Sequence, residues 1–295
     1  MTPRDGLLLV RKPPHVTSFR ALDAVKHKVA PAKVGHTGTL DSFAEGLLVV
    51  LCGRMTKLAP FVAALPKEYE AVIRLGEETD TLDPEGEVVG RGGIPTMETI
   101  ESVLPRFIGK IEQVPPAYSA VHVGGRRAYE LARSGQSVDI RPRTVTIDSI
   151  VVESYTAPDL RVRVACSKGT YIRSLARDLG RACGTCAYVS ELCRTRVGEF
   201  TMTAAVLPED FDPGRDLWGW KKALVSLGID RSCTLRSEWE GRVSTGVPLR
   251  EVSFDDPPQQ EGFVAAYATD GSFRALLYHK DGRFRYEIVA TESVR

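Results

Sequence analysis

Cysteine is scarce. The 295 residues hold six, about 2% against the ~8–10% that marks a disulfide scaffold, so reduced thiols in a cytoplasm are the expectation. Long apolar runs are missing as well: the first, Leu7 to Val10, is four residues, shorter than the ~7–15 of a signal-peptide core. No stretch approaches the ~18 apolar residues that could span a bilayer, which argues against a secreted or membrane protein. Neither charge is in excess. Thirty-nine Lys and Arg stand against 38 Asp and Glu, a net +1, so a polyanionic partner must be met by a local patch rather than by a global field. The five histidines (His15, His27, His36, His122, His279) show no ligand spacing, and Cys183-Gly-Thr-Cys186 lacks the second CxxC of a zinc site. Phosphate-loop, GxSxG and HExxH motifs are absent, as are internal repeats.

What is present is an ordinary globular composition, 43% hydrophobic and 26% charged, of a length that suggests one large domain or about two. Leu7–Val10 predicts a strand. Phe19, Leu22, Val25 and Val29 after Thr17-Ser18 predict an amphipathic helix. Residues 33–46 have loop chemistry, and Leu47–Cys52 resembles a buried strand. Tyr69, Ala71, Ile73 and Leu75 alternate with Glu68, Glu70, Val72 and Arg74, a half-exposed strand. Met97, Ile100, Val103, Leu104 and Phe107 follow Thr96, a plausible N-cap, at helical spacing. Leu160 to Cys166 alternates again, and after a Ser-Lys-Gly turn Ile172, Leu175, Ala176 and Leu179 form a helical stripe. Interleaved strands and helices predict a mixed α/β or α+β fold, with α+β the class expected here. Beyond residue 235, three short apolar runs separated by Asp270-Gly271 and Asp281-Gly282 predict a small β domain, so the expected units are 1–234 and 235–295, joined through 208–228.

Charge is partitioned along the chain. Residues 11–57 hold eight Lys or Arg against three acids, residues 161–196 eight against two, and residues 77–87 six acids with no base. Such alternation is often a solvated surface, yet two basic segments bordering Gly-rich turns could form a groove for phosphates. In the loop GHTGTLDSFAEG at 35–46, Asp41 sits among small and hydroxyl residues before a buried strand, where backbone N–H groups can hold a carboxylate that faces a ligand. A turn-capping role fits the same residue. Asp41 and Glu45 are four apart and could mimic a glycosidase pair, though nothing requires them to face each other.

GHTGTLD (35–41), AEGLLVVLCGRMTK (44–57), KEYEAVIRLG (67–76), TDTLDPEG (79–86), PPAYSAVHVGGRRAYELARSG (115–135) and SKGTYIRSLARDLG (167–180) together resemble the TruB family of tRNA pseudouridine synthases. The resemblance implies a large mixed-sheet catalytic domain followed by a PUA-like RNA-binding domain. It also implies isomerisation of uridine-55 in the tRNA T loop with Asp41 as nucleophile, a carboxylate able to attack C1′ or C6 and later leave. The reaction is redox-neutral and loses no group, so neither cofactor nor metal is expected. By the same resemblance Arg173 pairs with Asp41, Tyr69 stacks on the flipped base and moves a proton, His36 contacts RNA, Tyr171 and Leu192 line the uracil pocket, and Lys12-Pro13 supports the active-site loop. A monomer acting on tRNA without a protein partner is expected. Ser42, Met55 and Cys193 depart from the family's usual Pro, Ala and Arg, which bears on loop rigidity and RNA affinity. The competing readings are a guide-dependent enzyme of the dyskerin type, an RNA chaperone without catalysis, and a glycosidase.

Overall fold

The computed structural model describes residues 5–136 and 138–290; the expected units 1–234 and 235–295 reach slightly past these bounds. A nine-stranded mixed sheet dominates, as the α+β reading requires. Its strands are β1 (Gly6–Lys12), β2 (Val34–His36), β3 (Glu45–Cys52) and β4 (Lys67–Leu75). A ribbon of β5 (Glu77–Thr79) and β6 (Val88–Arg91) follows, then β7 (Gly109–Gln113) and a second ribbon, β8 (His122–Val123) with β9 (Arg126–Arg127). The sheet is completed by β10 (Arg143–Thr156), β11 (Asp159–Cys166), β12 (Ala187–Val197) and β13 (Phe200–Thr201). The strand order is β1-β3-β12-β4-β11-β10-β7, with β2 on β3 and β13 on β12.

Strands β1 and β3 explain their own lack of alternation. Leu7, Leu9, Leu47, Val49 and Leu51 enter one apolar cluster, while Leu8, Val10, Leu48 and Val50 enter another with Leu22, Val25 and Val29 from helix α1 (Asp23–Val29) and its preceding turn. Both faces are covered, so Leu7–Val10 and Leu47–Cys52 are apolar throughout. Each of these Leu and Val side chains contributes roughly 1.5–3 kcal/mol of burial. Strand β11 keeps its alternation because its Arg161 and Arg163 face solvent. In β4, by contrast, Val72 is buried although it lies on the face opposite Ala71, Ile73 and Leu75.

Gly46 is squeezed where β3 passes between β1 and β12. Its φ is +112° and a Cβ there would lie 2.4 Å from the Arg194 carbonyl oxygen. Gly46→Ala should therefore cost about 3 kcal/mol or more, visible as a lower urea midpoint; an unchanged midpoint would show that the strand contact can yield.

Three more helices precede the one that matters most: α2 (Ala59–Ala64), α3 (Met97–Val103) and α4 (Ala128–Arg133). The side chain of Thr96 accepts from the Thr99 N–H and caps α3 as expected. Helix α5 (Ile172–Ala182) packs Ile172, Leu175, Ala176 and Leu179 on the central strands. It stops where Gly184 takes φ +72°, with Thr185 N–H donating to Gly180 O at 2.9 Å. The CxxC spacing is thus a helix-stop turn, and all six cysteines are free thiols.

Segment 208–228 is packed rather than loose: Trp218 exchanges main-chain hydrogen bonds with Leu7, and Ala223 and Leu224 are in the core. The small sheet consists of β14 (Ser232–Thr234), β15 (Gly262–Tyr267), β16 (Phe273–Lys280) and β17 (Arg283–Val289). Its first strand lies just ahead of residue 235. Asp281 and Gly282 both have positive φ, 49° and 68°, the primed turn that their sequence predicts. Ala265, Phe273, Leu276 and Ile288 share one cluster with β1 and β3, and Trp220 stacks on Phe273 at 4.0 Å.

Candidate active site

Residues 37–43 cross the C-terminal side of β2 as an irregular loop held almost entirely by groups from elsewhere. Thr37 N–H donates to Val49 O at 3.0 Å. The Ser18 hydroxyl accepts from Leu40 N–H at 2.9 Å and donates to Leu40 O at 3.0 Å. Buried Lys12 donates its Nζ to Ser42 O at 3.2 Å and to Pro13 O at 2.9 Å. Burial pulls the Lys12 ammonium down to about 8, against the attraction of Asp41. Arg194 Nη2 donates to Gly38 O at 3.0 Å, where φ is +116°. The loop therefore presents Asp41 at a defined place without Pro at 42.

Arg173 reaches that carboxylate from the first turn of α5. Its Nη2 donates to Asp41 Oδ1 at 2.9 Å, and Nε lies 2.9 Å from Oδ2 although its N–H is not aimed at that oxygen. The same guanidinium donates through Nη1 to Asp83 Oδ2 at 2.9 Å and Thr81 O at 2.8 Å, and through Nη2 to Tyr118 O at 2.9 Å. Arg173 and Asp83 are buried, with side chains 4% and 6% exposed, while Asp41 is 36% exposed. One cation is shared by two carboxylates, and only one of these reaches the solvent side. Burial pushes the Asp83 carboxyl up; the Thr81 hydroxyl and Arg173 pull against it.

Asp41, Tyr69, Tyr171, Arg173 and Leu192 all line one cavity of about 310 Å³, together with Arg194, Lys67 and Lys168. That is the small end of ligand-site volumes, suited to a single planar base. Tyr69 is on β4 and lies across from Arg194 on β12 and Val164 on β11. Burial raises its phenol pKa, and the charge and hydrogen bonding of Arg194 oppose this. Buried Gln113 at the end of β7 fixes Tyr171 by accepting from its N–H at 2.8 Å and donating to its carbonyl at 3.1 Å. Arg143 approaches the Tyr171 ring to 5.1 Å.

The cavity does not include His36. It ends β2 beside the loop, its Nδ1 buried without a partner, and burial, with Arg194 and Lys26 adding to it, lowers its pKa. Glu45 turns away from Asp41, 3.7 Å from Arg11, and lines a different cavity with Glu70 and Cys193. A glycosidase-like pair is therefore not formed. Among the described residues no group of three or more His, Cys, Asp or Glu is placed to hold a metal ion, and no helix is long and apolar enough to cross a membrane.

Sequence reasoning missed Asp83, Gln113 and Arg194. Asp83 lay in the acidic run 77–87, where nothing but burial distinguishes it from its five acidic neighbours. Arg194 is one of two arginines in LCRTRV, and only the structure shows that it is 2% exposed.

Residues 26–172 match the family model of the TruB family pseudouridylate synthase N-terminal domain, and 173–218 that of the tRNA pseudouridylate synthase B C-terminal domain. The tRNA pseudouridine synthase B of Borreliella burgdorferi is 45% identical over 226 residues, 76% of this chain and 77% of the relative. That of Bordetella parapertussis is 45% identical over 76% of this chain and 92% of the relative. Among solved structures, an H/ACA RNP bound to a substrate RNA containing 2′-deoxyuridine shares the fold, with a TM-score of 0.70 at 22% identity over 98% of this chain and 86% of that one. A Cbf5-Nop10-Gar1 complex gives 0.69 at 23% over 98% and 84%. These similarities define the class as the pseudouridylate synthases. Within that class, the chain belongs to the TruB family.

Proposed function

We propose that this cavity isomerises uridine-55 in the T loop of tRNA to pseudouridine, with Asp41 as the nucleophile. The observation that carries the reading is the Asp41–Arg173–Asp83 array at the wall of a base-sized cavity. The C1′–N1 bond of uridine must break, the uracil must turn, and C1′ must bond C5. The Asp41 carboxylate attacks C1′ or C6 and leaves again once the new bond is made, while Arg173 holds the carboxylate in place. The sum is an isomerisation with no redox change and no lost group, so its chemistry calls for no cofactor or metal. Tyr69 and Tyr171 offer faces for the flipped base, and Leu192 an apolar wall. Flipping costs a few kcal/mol, offset by stacking and phosphate contacts. Lys168 at the cavity and Arg143 beside Tyr171 supply cations for the phosphates. His36, its pKa lowered, meets RNA beside the loop as a neutral ring.

The enzyme works as a cytoplasmic monomer on tRNA alone. The experiment is pseudouridine formation on a bare tRNA transcript with purified protein: product at position 55 is expected. A requirement for a guide RNA or protein partner would favour the dyskerin-type reading, and binding without product the chaperone reading.

The small sheet serves this function as a PUA-like RNA grip. Arg250 and Arg283 are exposed and line one groove with Pro248, Leu249 and Phe284. Deleting residues 235–295 would bare the apolar cluster shared with β1 and β3, so point variants test the grip more cleanly. Arg250→Ala with Arg283→Ala should weaken tRNA binding by roughly tenfold and flatten the log–log salt slope by about 1–2, with the rate at saturating enzyme unchanged. An unaltered slope would remove this groove from the RNA interface.

A further inference from the structure

Arg194 is a buried cation in the cavity wall with no carboxylate partner among the described residues. Its guanidinium donates through Nε to Leu47 O at 2.8 Å and through Nη2 to Gly38 O at 3.0 Å. Both acceptors are neutral, and among the described residues no carboxylate pairs with it. Arg173, the other buried arginine at this site, has two. A buried charge without a partner is costly to hold, and two carbonyl groups offset only part of that cost. Arg194 also stands directly across the β4–β12 pairing from Tyr69, and both side chains face the same cavity.

We propose that Arg194 is the positioning residue for proton transfer at Tyr69, fixing the phenol oxygen and balancing the negative charge it carries as a phenolate. This rests on the assignment of Tyr69 as the proton-moving group in the proposed function. Once C1′ is bonded to C5, the ring is left with an sp3 C5 and a C6–N1 double bond. The Tyr69 phenol passes its proton to N1 through solvent, and the phenolate it becomes takes the proton from C5, so that the C–H electron pair restores the C5–C6 double bond while the C6–N1 pair returns to N1. Proton count and charge are unchanged over the cycle. The other ionisable groups facing Tyr69 do not supply the counter-charge as directly. Asp41 is an anion bound to Arg173, the Cys166 thiol is pushed up to about 11 by burial, and Lys67, its ammonium pulled down to about 8 by burial, sits opposite Val197 rather than opposite Tyr69. The burial that raises the Tyr69 phenol is opposed first by Arg194. Such preorganised charge is the usual means of stabilising an anion that appears only during reaction.

The test separates charge from scaffolding. Arg194→Gln keeps hydrogen-bond donors for the two carbonyls and loses the charge; Arg194→Lys keeps the charge and loses the fork. Single-turnover pseudouridine formation is measured at pH 6.5 with saturating enzyme, on transcripts carrying either uridine or 5-deuterouridine, alongside tRNA binding and circular dichroism. The Gln variant is expected to be at least 50-fold slower and to show a C5–H isotope effect of twofold or more, because proton removal becomes rate-limiting. The Lys variant is expected within tenfold of the parent. Binding stays within threefold in both. A Gln variant at the parental rate, or one slowed without an isotope effect, overturns the proposal. Should the Gln variant fail to fold, a folded Lys variant slowed more than 50-fold without an isotope effect overturns it equally. Tyr69→Phe at the parental rate would sink the Tyr69 assignment itself, whereas a slow Tyr69→Phe beside a fast Arg194→Gln would sink only the role of Arg194.

Discussion

Asp41→Asn is expected to abolish isomerisation while tRNA affinity stays within about tenfold, or ~1.4 kcal/mol. An amide of the same size fits between the loop clamps, and its oxygen can still accept from Arg173 Nη2, which lies 2.9 Å from Asp41 Oδ1. Its NH₂ would face the guanidinium where Oδ2 now lies 2.9 Å from Nε, so one attractive contact becomes an unfavourable one. The amide also lacks the nucleophilic oxygen pair needed for an ester or adduct. Affinity survives because phosphate contacts and stacking dominate binding. Product per enzyme in one turnover, with a binding titration on the same transcript, decides the matter. Persistent product would place the nucleophile elsewhere, and lost binding would recast Asp41 as a structural loop residue.

The second large effect is expected at Arg173. Arg173→Lys keeps one positive charge in place of a planar fork that now serves Asp41, Asp83, Thr81 and Tyr118 together. A lysine ammonium on a flexible stem cannot reach both carboxylates at the same angles. One carboxylate loses its partner, and if that is Asp83 the loss leaves a buried anion uncompensated. We expect single-turnover chemistry to fall at least ~10³-fold, about 4 kcal/mol, with the fold retained by circular dichroism and the urea midpoint lowered. A Lys variant reacting at the parental rate would show that charge alone, not the fork, is what Asp41 requires.

Much of the fold was legible because its signals are local. The apolar runs of β1 and β3, the Thr96 cap and the Asp281-Gly282 turn each declare themselves within a few residues. The spacing from Phe19 to Val29 predicts one helix, but the segment begins as a separate 3-10 turn at Arg20–Leu22. Strand β10 escaped notice because its 14 residues carry two irregularities in register that break alternation. The site was legible only through family resemblance: Arg173 and Asp41 are 132 residues apart, and no periodicity links them. Resemblance in turn named Asp41, Tyr69, Tyr171, Arg173 and Leu192 at the cavity, but neither Arg194 in its wall nor the residues behind it. Asp83 and Gln113 act by being buried under α5 and the Tyr171 backbone, and burial of a single polar residue leaves no pattern in a sequence.

Residues 35–46 look in sequence like a self-sufficient cassette, yet most of what shapes them lies outside. The clamps come from Lys12, Ser18, Val49 and Arg194, borne by one edge strand, a turn and two inner strands. Transplanted to another scaffold, the segment would take its carboxylate along and leave its conformation behind. Divergence at Ser42 is tolerable for the same reason: the memory of the loop's shape is stored in distant parts of the chain, and change within the loop is cheap where change at those four anchors is not.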